Sequence, residues 1–315
     1  MKDATKILQR HPKNPLITPD RIPGAAAVMN PSPVLYRNKT VLLLSVNPYK
    51  WPEHAVGTYL AFSDDGVNFE ISDRPFIDLS NAGPPFNQLK GIIIDNRVTQ
   101  IGDTYYIMSP VYYEGEGGPF CLLGKTTDFE TYVPIEIVSL PSNRVPSLFP
   151  EKIKGKYYRL DRPGGGTEVP GNIWISSSPD LIHWGCHRPL LRRGYAIWNA
   201  VKIGPTPPIK TPEGWLVIVH GVWSWSSADF HYYIGAVLLD LEEPERVIGR
   251  TYSWLLAPEA DYEVRGTVDN VCFPCGAIAD LEKDELRLYY GAADTYVCLA
   301  TGSLSEVIEA CKREI

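Results

Sequence analysis

The chain has 315 residues, of which 44% are hydrophobic and 21% are charged. This composition is ordinary for a globular protein, argues against disorder and allows a large core. The formal net charge of -7 disfavours a nucleic-acid partner, because phosphate backbones attract basic surfaces.

The N-terminal residues 1–15 lack the apolar core of a signal peptide, and no apolar run approaches the length of roughly 18 residues that a membrane span needs. We therefore expect a cytoplasmic protein that does not associate with membranes. Its six cysteines are then expected to stay reduced. Cys272 and Cys275 form a C-x-x-C pair without a second pair, so we interpret them as core residues and predict no metal site.

Most of the chain consists of short segments rich in β-branched and aromatic residues, separated by Gly, Pro, Asn and Asp. This pattern predicts strands joined by turns. The clearest predicted strands are Thr40–Val46, Tyr105–Met108, Tyr157–Leu160, Asn172–Ser176, Trp215–His220 and Leu286–Tyr290. One helix is predicted, at 303–313, where Ser303 can cap the first turn and Glu306 follows three residues later.

A weak repeat predicts how these strands are organised. Segments 63–69, 126–132 and 178–184 each contain a small polar residue, an aspartate two positions later and an aromatic residue four positions after the aspartate. The aspartates, Asp65, Asp128 and Asp180, can cap tight turns, and segments 239–244 and 302–305 occupy comparable places. Repeats of this length indicate a propeller. A unit of roughly 60 residues predicts an all-β, five-bladed β-propeller with a short C-terminal helix, forming a single domain over 1–315.

Asp95 is the first candidate for chemistry. It follows the apolar run 91–94 and precedes Arg97 by two residues. One interpretation is a turn cap or an ion pair with Arg97. The other is a carboxylic acid that partial burial keeps protonated, so that it can donate a proton near neutral pH.

Four basic residues at turns or strand ends could hold an anion. They are Arg144, Arg162, Lys202 and His220. Guanidinium groups match phosphate oxygens with two parallel hydrogen bonds, although each residue alone could equally be a surface partner or a core residue. Arg159 is an alternative to Arg162. Trp198, Trp223 and Trp225 lie in polar, loop-like segments typical of sugar-stacking platforms.

Five segments, in order along the chain, resemble glycoside hydrolase family 130, which contains β-mannoside phosphorylases and related mannosidases on a five-bladed propeller. The segments are Asp95–Thr99, Asn143–Ile153 in part, Lys202–Gly204 with Gly214–Leu216, His220–Gly221 and Tyr289–Asp294. The resemblance extends over most of the chain, and Tyr289–Asp294 (YYGAAD) and the LFPEKI-x-GKY segment are its most specific parts.

The resemblance implies a role for each matching position. Asp95 matches the catalytic acid, and the phosphate-holding positions are Arg144, Arg162, Lys202 and His220. Asn30 and Asp294 match residues that contact the sugar, and the same motifs make Arg97 and Tyr290 substrate-binding candidates. The chain also departs from the family pattern, with Asn96 in place of proline, Ile94 in place of an acidic residue, Pro31 after Asn30, and Ser45 in place of an arginine.

Taken together, these residues predict an inverting glycoside phosphorylase for β-mannosides that uses inorganic phosphate as co-substrate and needs no cofactor. One alternative is an inverting β-mannosidase with Glu263 or Asp294 as base, because hydrolysis by inversion needs a second carboxylate. Another is a non-catalytic carbohydrate-binding propeller. The C-terminal helix either mediates contacts in a homo-oligomer or packs against a blade.

Overall fold

Five antiparallel sheets, each of four or five strands, follow one another along the chain. The computed structural model describes residues 3–48, 57–80, 82–90, 93–113, 118–164, 171–226 and 229–313. Within each sheet the strands pair mostly in sequence order from the inside outward, and the inner strands of neighbouring sheets contact each other. This arrangement is the five-bladed propeller that the repeat predicted.

The first three blades take up the chain from residue 25 to residue 191. Blade 1 contains β2 (Ala25–Tyr36), β3 (Lys39–Pro48), β4 (Gly57–Ser63) and β5 (Glu70–Ile71). Blade 2 contains β6 (Leu89–Lys90), β7 (Arg97–Ile101), β8 (Thr104–Tyr113), β9 (Phe120–Thr126) and β10 (Val133–Ser139). Blade 3 contains β11 (Ser147–Leu148), β12 (Tyr157–Asp161), β13 (Ile173–Ser178) and β14 (Gly185–Leu191).

The last two blades hold the longest hairpin and the point where the ring closes. Blade 4 contains β15 (Lys202–Pro205), β16 (Ile209–Thr211), β17 (Gly214–Ser226), β18 (Asp229–Leu239) and β19 (Val247–Arg250). Blade 5 contains β20 (Cys272–Pro274), β21 (Ile278–Asp280), β22 (Glu285–Ala292) and β23 (Tyr296–Ser303). Its outermost strand is the N-terminal β1 (Gln9–Arg10), which pairs antiparallel with β23. The two ends of the chain therefore meet in one sheet and close the ring.

Hydrophobic side chains fill the spaces between neighbouring blades in separate clusters. The second strand of blade 1 shows why: Val41, Leu42, Leu43 and Leu44 are all fully buried, because both faces of the sheet pack against a neighbour. A strand buried on both faces has a continuous apolar run rather than an alternating one. All six predicted strands lie within observed strands or begin one residue before them.

The repeated aspartates cap the turns between the third and fourth strands of their blades. Asp65 accepts hydrogen bonds from the backbone N–H groups of Val67 and Asn68, both at 2.8 Å. Asp128, Asp180 and Asp240 each make the same pair of bonds in blades 2, 3 and 4. In blade 5 the corresponding place is the start of the C-terminal helix, because β1 supplies the fourth strand.

The helix α2 (Leu304–Lys312) confirms the helix prediction, since Ser303 Oγ accepts a hydrogen bond from the Glu306 N–H at 3.1 Å. Its apolar face, including Val307 and Cys311, packs into the core between blades 4 and 5. A second, short helix α1 (Asp261–Val264) was not predicted. No helix of the described residues is long and apolar enough to cross a bilayer.

Candidate active site

A cavity of about 110 Å³ receives side chains from all five blades and therefore lies on the propeller axis. Six of the nine predicted site residues line it: Asn30, Asp95, Arg144, Arg162, Lys202 and Asp294. They come from inner strands or from the ends of strands, where the chain passes closest to the axis. These residues are up to 264 positions apart in the chain, and only ring closure brings them together.

Asp95 lies just before β7 in a buried turn and has a positive φ of 57°. Its Oδ1 accepts a hydrogen bond from Asn30 Nδ2 at 2.7 Å, and its backbone N–H donates to Ser45 Oγ at 2.9 Å. Its Oδ2 lies 3.3 Å from Arg144 Nε. The carboxyl group is thus held between a neutral amide donor and a cation at the wall of the cavity. Residues 91 and 92 of the preceding apolar run lie outside the described residues.

Three cations form the wall beside Asp95, and we call Arg144, Arg162 and Lys202 the cationic wall. Arg144 and Arg162 flank β11 and β12 of blade 3, whereas Lys202 begins β15 of blade 4. Lys202 Nζ donates a hydrogen bond to the Tyr232 hydroxyl at 3.0 Å. Three like charges around one small cavity repel one another, so the arrangement favours an anion between them.

Burial and mutual repulsion lower the pKa values of this wall. Burial, followed by the charge of neighbouring Arg144, lowers the pKa of Arg162 to about 10. Burial, followed by the charges of Arg162 and Arg144, lowers the pKa of Lys202 to about 8. Both groups remain cationic at neutral pH, but Lys202 loses its charge as the pH rises through about 8.

Asp294 is the second carboxyl group of the cavity. It follows β22 and has a positive φ of 46°. Burial raises its pKa to about 7, and the nearby charge of Asp95 acts in the same direction. Near neutral pH, Asp294 is therefore partly protonated, so that it can both donate and accept hydrogen bonds, as contact with a sugar hydroxyl requires.

His220 lies behind the cationic wall and does not line the cavity. It is fully buried, and its Nε2 lies 3.0 Å from Arg162 Nη1. Burial, then the charge of Arg162, lowers its pKa well below 6.5. Because a guanidinium only donates, the neutral imidazole accepts through Nε2 and carries its proton on Nδ1. The predicted contact of His220 with phosphate stays a prediction; its observed contact is with Arg162.

Arg97 also lies one layer behind the cavity. It is fully buried, its guanidinium lies 5.5 Å from the centre of the Phe273 ring, and its Nη1 donates to the backbone carbonyl of Asp95. The Phe273 ring lines the cavity, whereas Arg97 does not. The predicted contact of Arg97 with substrate stays a prediction; its observed contact is with the turn that carries Asp95.

Tyr290 does not line the cavity either, and its predicted contact with substrate stays a prediction. It is fully buried in the core between blades 4 and 5, and its hydroxyl donates to Glu263 Oε1 at 2.6 Å. Successive side chains of a strand point to opposite faces, and Tyr290 on β22 points into the interblade core. Asp294 of the same motif lies beyond the end of the strand and does reach the cavity.

Glu263, which was considered as a hydrolytic base, is bonded to Arg10 and does not line the cavity. Its carboxylate accepts hydrogen bonds from Arg10 at 2.8 and 2.9 Å and from the N–H groups of Glu259 and Ala260. Burial opposes ionisation, but these bonds outweigh it and lower the pKa of Glu263. Glu263 joins α1 to β1 and lies outside the cavity.

The three tryptophans considered as sugar platforms differ in their exposure. Trp198 is buried, and its Nε1–H donates to the carbonyl of Tyr252 at 2.8 Å. It packs so closely on β17 that a Cβ at Gly221 would lie 2.3 Å from its ring. Trp223 and Trp225 lie near the tip of the β17–β18 hairpin with ring centres 4.1 Å apart, and Trp225 is 76% exposed. Trp223 is half-buried, so among the three tryptophans Trp225 is the one whose ring is largely open to a ligand.

Arg159, the alternative to Arg162, does not line the axial cavity. It is buried, forms an ion pair with Asp161 at 2.8 Å and lies over the Trp184 ring. Arg159 and Asp161 line a larger recess, of about 990 Å³, between blades 2 and 3. None of the predicted site residues lines this recess. The recess is larger than the axial cavity, but the cation and the carboxylate that line it, Arg159 and Asp161, are already paired with each other.

Sequence reasoning missed Tyr232 and Phe273, which line the cavity. Tyr232 on β18 lies opposite Val222 of β17, and Val222 in turn pairs with Lys202 of β15. This register brings the Tyr232 hydroxyl to the lysine. In the sequence, Tyr232 was recognisable only as an aromatic residue in a strand, and many core residues share that feature.

A family model described as beta-1,4-mannooligosaccharide phosphorylase matches residues 2–313. The chain belongs to glycoside hydrolase family 130. This family 130 chain is 34% identical over 313 residues to the beta-1,4-mannooligosaccharide phosphorylase of Ruminococcus albus, covering 98% of this chain and 92% of the relative. It is 40% identical over 257 residues to the beta-1,2-mannobiose phosphorylase of Listeria innocua, covering 81% and 68%.

Solved structures agree with this assignment. The complex of beta-1,2-mannobiose phosphorylase from Listeria innocua with beta-1,2-mannobiose superposes with a TM-score of 0.86 at 32% identity, covering 98% of this chain and 99% of that one. A structure described as a putative glycosidase from Bacteroides thetaiotaomicron has a TM-score of 0.81 at 20% identity, covering 96% and 97%. The second similarity concerns the fold alone.

Proposed function

We propose that this protein is an inverting phosphorylase that converts a β-manno-oligosaccharide and inorganic phosphate into α-mannose 1-phosphate and a shortened sugar. The observation that carries the proposal is the single cavity in which Asp95 faces the cationic wall of Arg144, Arg162 and Lys202. The relatives from Ruminococcus albus and Listeria innocua are both named as phosphorylases of β-mannosides. Nothing among these relatives favours hydrolysis.

In this proposal Asp95 is the general acid. Its carboxyl group protonates the glycosidic oxygen, directly or through a sugar hydroxyl, as the bond to the anomeric carbon breaks. Phosphate on the cationic wall attacks that carbon from the opposite face, which inverts its configuration. Because phosphate is already anionic, no protein base is needed, in contrast to an inverting hydrolase, which uses a second carboxylate to activate water.

The remaining site residues bind phosphate, contact the sugar or orient Arg162. The guanidinium groups of Arg144 and Arg162 suit phosphate oxygens, and their charges stabilise the transition state. Asn30 and Asp294 provide hydrogen-bonding groups on the sugar side, and His220 orients Arg162 from behind. The proposal requires no metal or organic cofactor. A cytoplasmic location would suit it, because a charged sugar phosphate does not cross membranes.

The test compares β-1,2- and β-1,4-linked mannobiose, each with and without inorganic phosphate, with products followed by ³¹P and ¹H NMR. We expect turnover only with phosphate and an α-configured mannose 1-phosphate as first product. Turnover that ignores phosphate and releases only free mannose would instead establish a mannosidase, with Asp294 as the remaining candidate base.

Variants separate catalysis from binding. Asp95→Asn should lower kcat by about 10²- to 10⁴-fold, the range that general acids supply, while mannobiose binding measured by calorimetry persists. Arg162→Ala should chiefly raise the KM for phosphate. If the unmodified protein binds mannosides but turns none of them over with or without phosphate, it is a carbohydrate-binding propeller and the proposal fails.

A further inference from the structure

The turn that carries Asp95 has a backbone conformation that needs support. The φ of 57° at Asp95 lies in the left-handed region, which is unfavourable for a residue with a side chain. Such conformations persist only where the surrounding structure over-determines them. The direction in which the Asp95 carboxyl group points depends on this φ, so whatever supports the turn also aims the acid.

Asn96, the next residue, is fully buried, and both ends of its carboxamide are bonded. Its Nδ2 donates to Thr58 Oγ1 at 2.6 Å, and its Oδ1 accepts from Ser109 Oγ at 2.6 Å. Thr58 belongs to β4 of blade 1 and Ser109 to β8 of blade 2. Both hydroxyl residues are fully buried. The side chain of Asn96 is therefore fixed between two blades.

The Thr58 hydroxyl also bonds to the chain on the other side of Asp95. It donates to the backbone carbonyl of Ile93 at 3.1 Å while it accepts from Asn96. The Thr58 hydroxyl thus links the Ile93 carbonyl, which precedes Asp95, to the Asn96 carboxamide, which follows it. We call Thr58, Asn96 and Ser109 the buried clamp. Buried hydrogen-bonded networks that are fully satisfied specify one geometry.

We propose that the buried clamp positions Asp95, so that Thr58 and Asn96 are positioning residues for proton donation although neither lines the cavity. This inference rests on the proposed function of Asp95 as the acid. Without the clamp, residues 93–96 relax toward ordinary backbone angles, and the carboxyl group moves away from the glycosidic oxygen. A misplacement of about 1 Å costs on the order of 10²-fold in rate.

A clamp that only stabilises the contact between blades 1 and 2 would affect all substrates equally. An effect on proton donation depends on the leaving group, because a nitrophenolate departs without a proton whereas a sugar alkoxide does not. The ratio of the two activities therefore reports on the position of the acid and is insensitive to the amount of folded protein.

The experiment measures phosphate-dependent kcat/KM for mannobiose and for 4-nitrophenyl β-mannoside in Thr58→Val, Asn96→Ala and Ser109→Ala. We expect losses of about 10²-fold on mannobiose and less than about threefold on the aryl glycoside for Thr58→Val and Asn96→Ala, with a smaller loss for Ser109→Ala. Thr58→Ser restores the hydroxyl group and should restore most of the mannobiose activity. The KM for phosphate should stay within about twofold.

Thr206→Val is the matched control. Thr206 is fully buried, and its hydroxyl donates to the carbonyl of Ile218 at 2.9 Å in blade 4, away from the turn. Its loss should leave both activities nearly unchanged. If Asn96→Ala does not fold, the milder variants Thr58→Val and Ser109→Ala decide the question. The pH profile of kcat/KM on mannobiose provides a second measurement: it should change in Thr58→Val and Ser109→Ala and stay the same in Thr206→Val.

Two outcomes overturn the inference: equal losses on both substrates in the clamp variants, or full mannobiose activity in Thr58→Val and Asn96→Ala. Asp95→Asn, assayed beside them, separates this failure from failure of the proposed function. If Asp95→Asn retains full activity on mannobiose, the assignment of the acid is wrong. If Asp95→Asn loses that activity and the clamp variants do not, only the positioning role is wrong.

Discussion

At the scale of single residues, the site places a lysine where its charge depends on pH near neutrality. Lys202 is flanked by Arg162 and Arg144 and donates to the Tyr232 hydroxyl, and burial with these charges brings its pKa to about 8. Arg144 is held differently, because its Nε lies 3.3 Å from the Asp95 carboxylate. Lys202 and Arg144 of the cationic wall are therefore held by different contacts.

The first prediction concerns this lysine. A lysine is cationic below its pKa, so the KM for phosphate should rise as the pH increases through about 8. Lys202→Arg keeps the charge at high pH and should flatten that rise. Initial rates at saturating mannobiose, with phosphate varied across the pH range, measure both effects. A KM for phosphate that is equally independent of pH in both proteins would contradict the prediction.

At the scale of elements, the β17–β18 hairpin has two different faces. One side chain of β18, Tyr232, reaches the cavity, whereas Trp223 and Trp225 lie near the hairpin tip with Trp225 largely exposed. Trp225 on this hairpin is a candidate for contact with the part of a longer substrate that the cavity does not enclose, because its exposed ring offers an aromatic face.

The second prediction is that Trp225→Ala raises the KM for mannotriose and longer substrates about fivefold, which corresponds to an aromatic contact of about 1 kcal/mol. The KM for mannobiose should change less, and the melting temperature should not change. Leu281→Ala, another exposed apolar residue at 56% exposure, is the control and should leave all KM values unaltered. Equal effects on short and long substrates would count against the role of Trp225.

The third prediction concerns the joint between β1 and α1. Glu263→Gln should lower the free energy of unfolding by about 2 kcal/mol, because Arg10 loses a charged hydrogen-bond partner. Activity per folded molecule should persist. Glu259→Gln is the matched control, since the Glu259 side chain is 68% exposed and its salt bridge with Arg10 should contribute little. Loss of activity without loss of stability in Glu263→Gln would revive this residue as a catalytic base.

At the scale of the whole molecule, the cavity exists because five blades close into a ring. Asn30, Asp95, Arg144, Lys202 and Asp294 each come from a different blade. The closure itself depends on β1, which completes blade 5 beside β23. An anion bound by blades 3 and 4 together should therefore stabilise the folded ring against unfolding.

The fourth prediction is that phosphate raises the melting temperature, with a stabilisation of about 2.7 kcal/mol at a concentration one hundred times its Kd. Sodium chloride at equal ionic strength is the control and should have little effect. Arg162→Ala should abolish most of the shift. If chloride raises the melting temperature equally, or if the phosphate effect survives in Arg162→Ala, phosphate does not bind at the cationic wall.

Local patterns were sufficient for six strands and the C-terminal helix, although they did not predict α1. Alternating and continuous apolar runs predicted the strands, Asp65, Asp128 and Asp180 marked equivalent turns, and Ser303 marked the start of α2. These features depend on neighbours within a few residues, so they can be read along the chain. The repeat also predicted five blades, because a unit of roughly 60 residues fits about five times into the 315 residues of the chain.

Which side chains meet was decided by the tertiary structure. Six of the predicted site residues line one cavity, whereas Arg97, His220 and Tyr290 lie behind it or in the core. Strand alternation and register determine which face a side chain occupies. Tyr232 entered the cavity through the pairing of β15, β17 and β18, which no local pattern specifies. Burial and neighbouring charges then shifted the pKa values of Lys202 and Asp294, since these effects exist only after distant segments have come together.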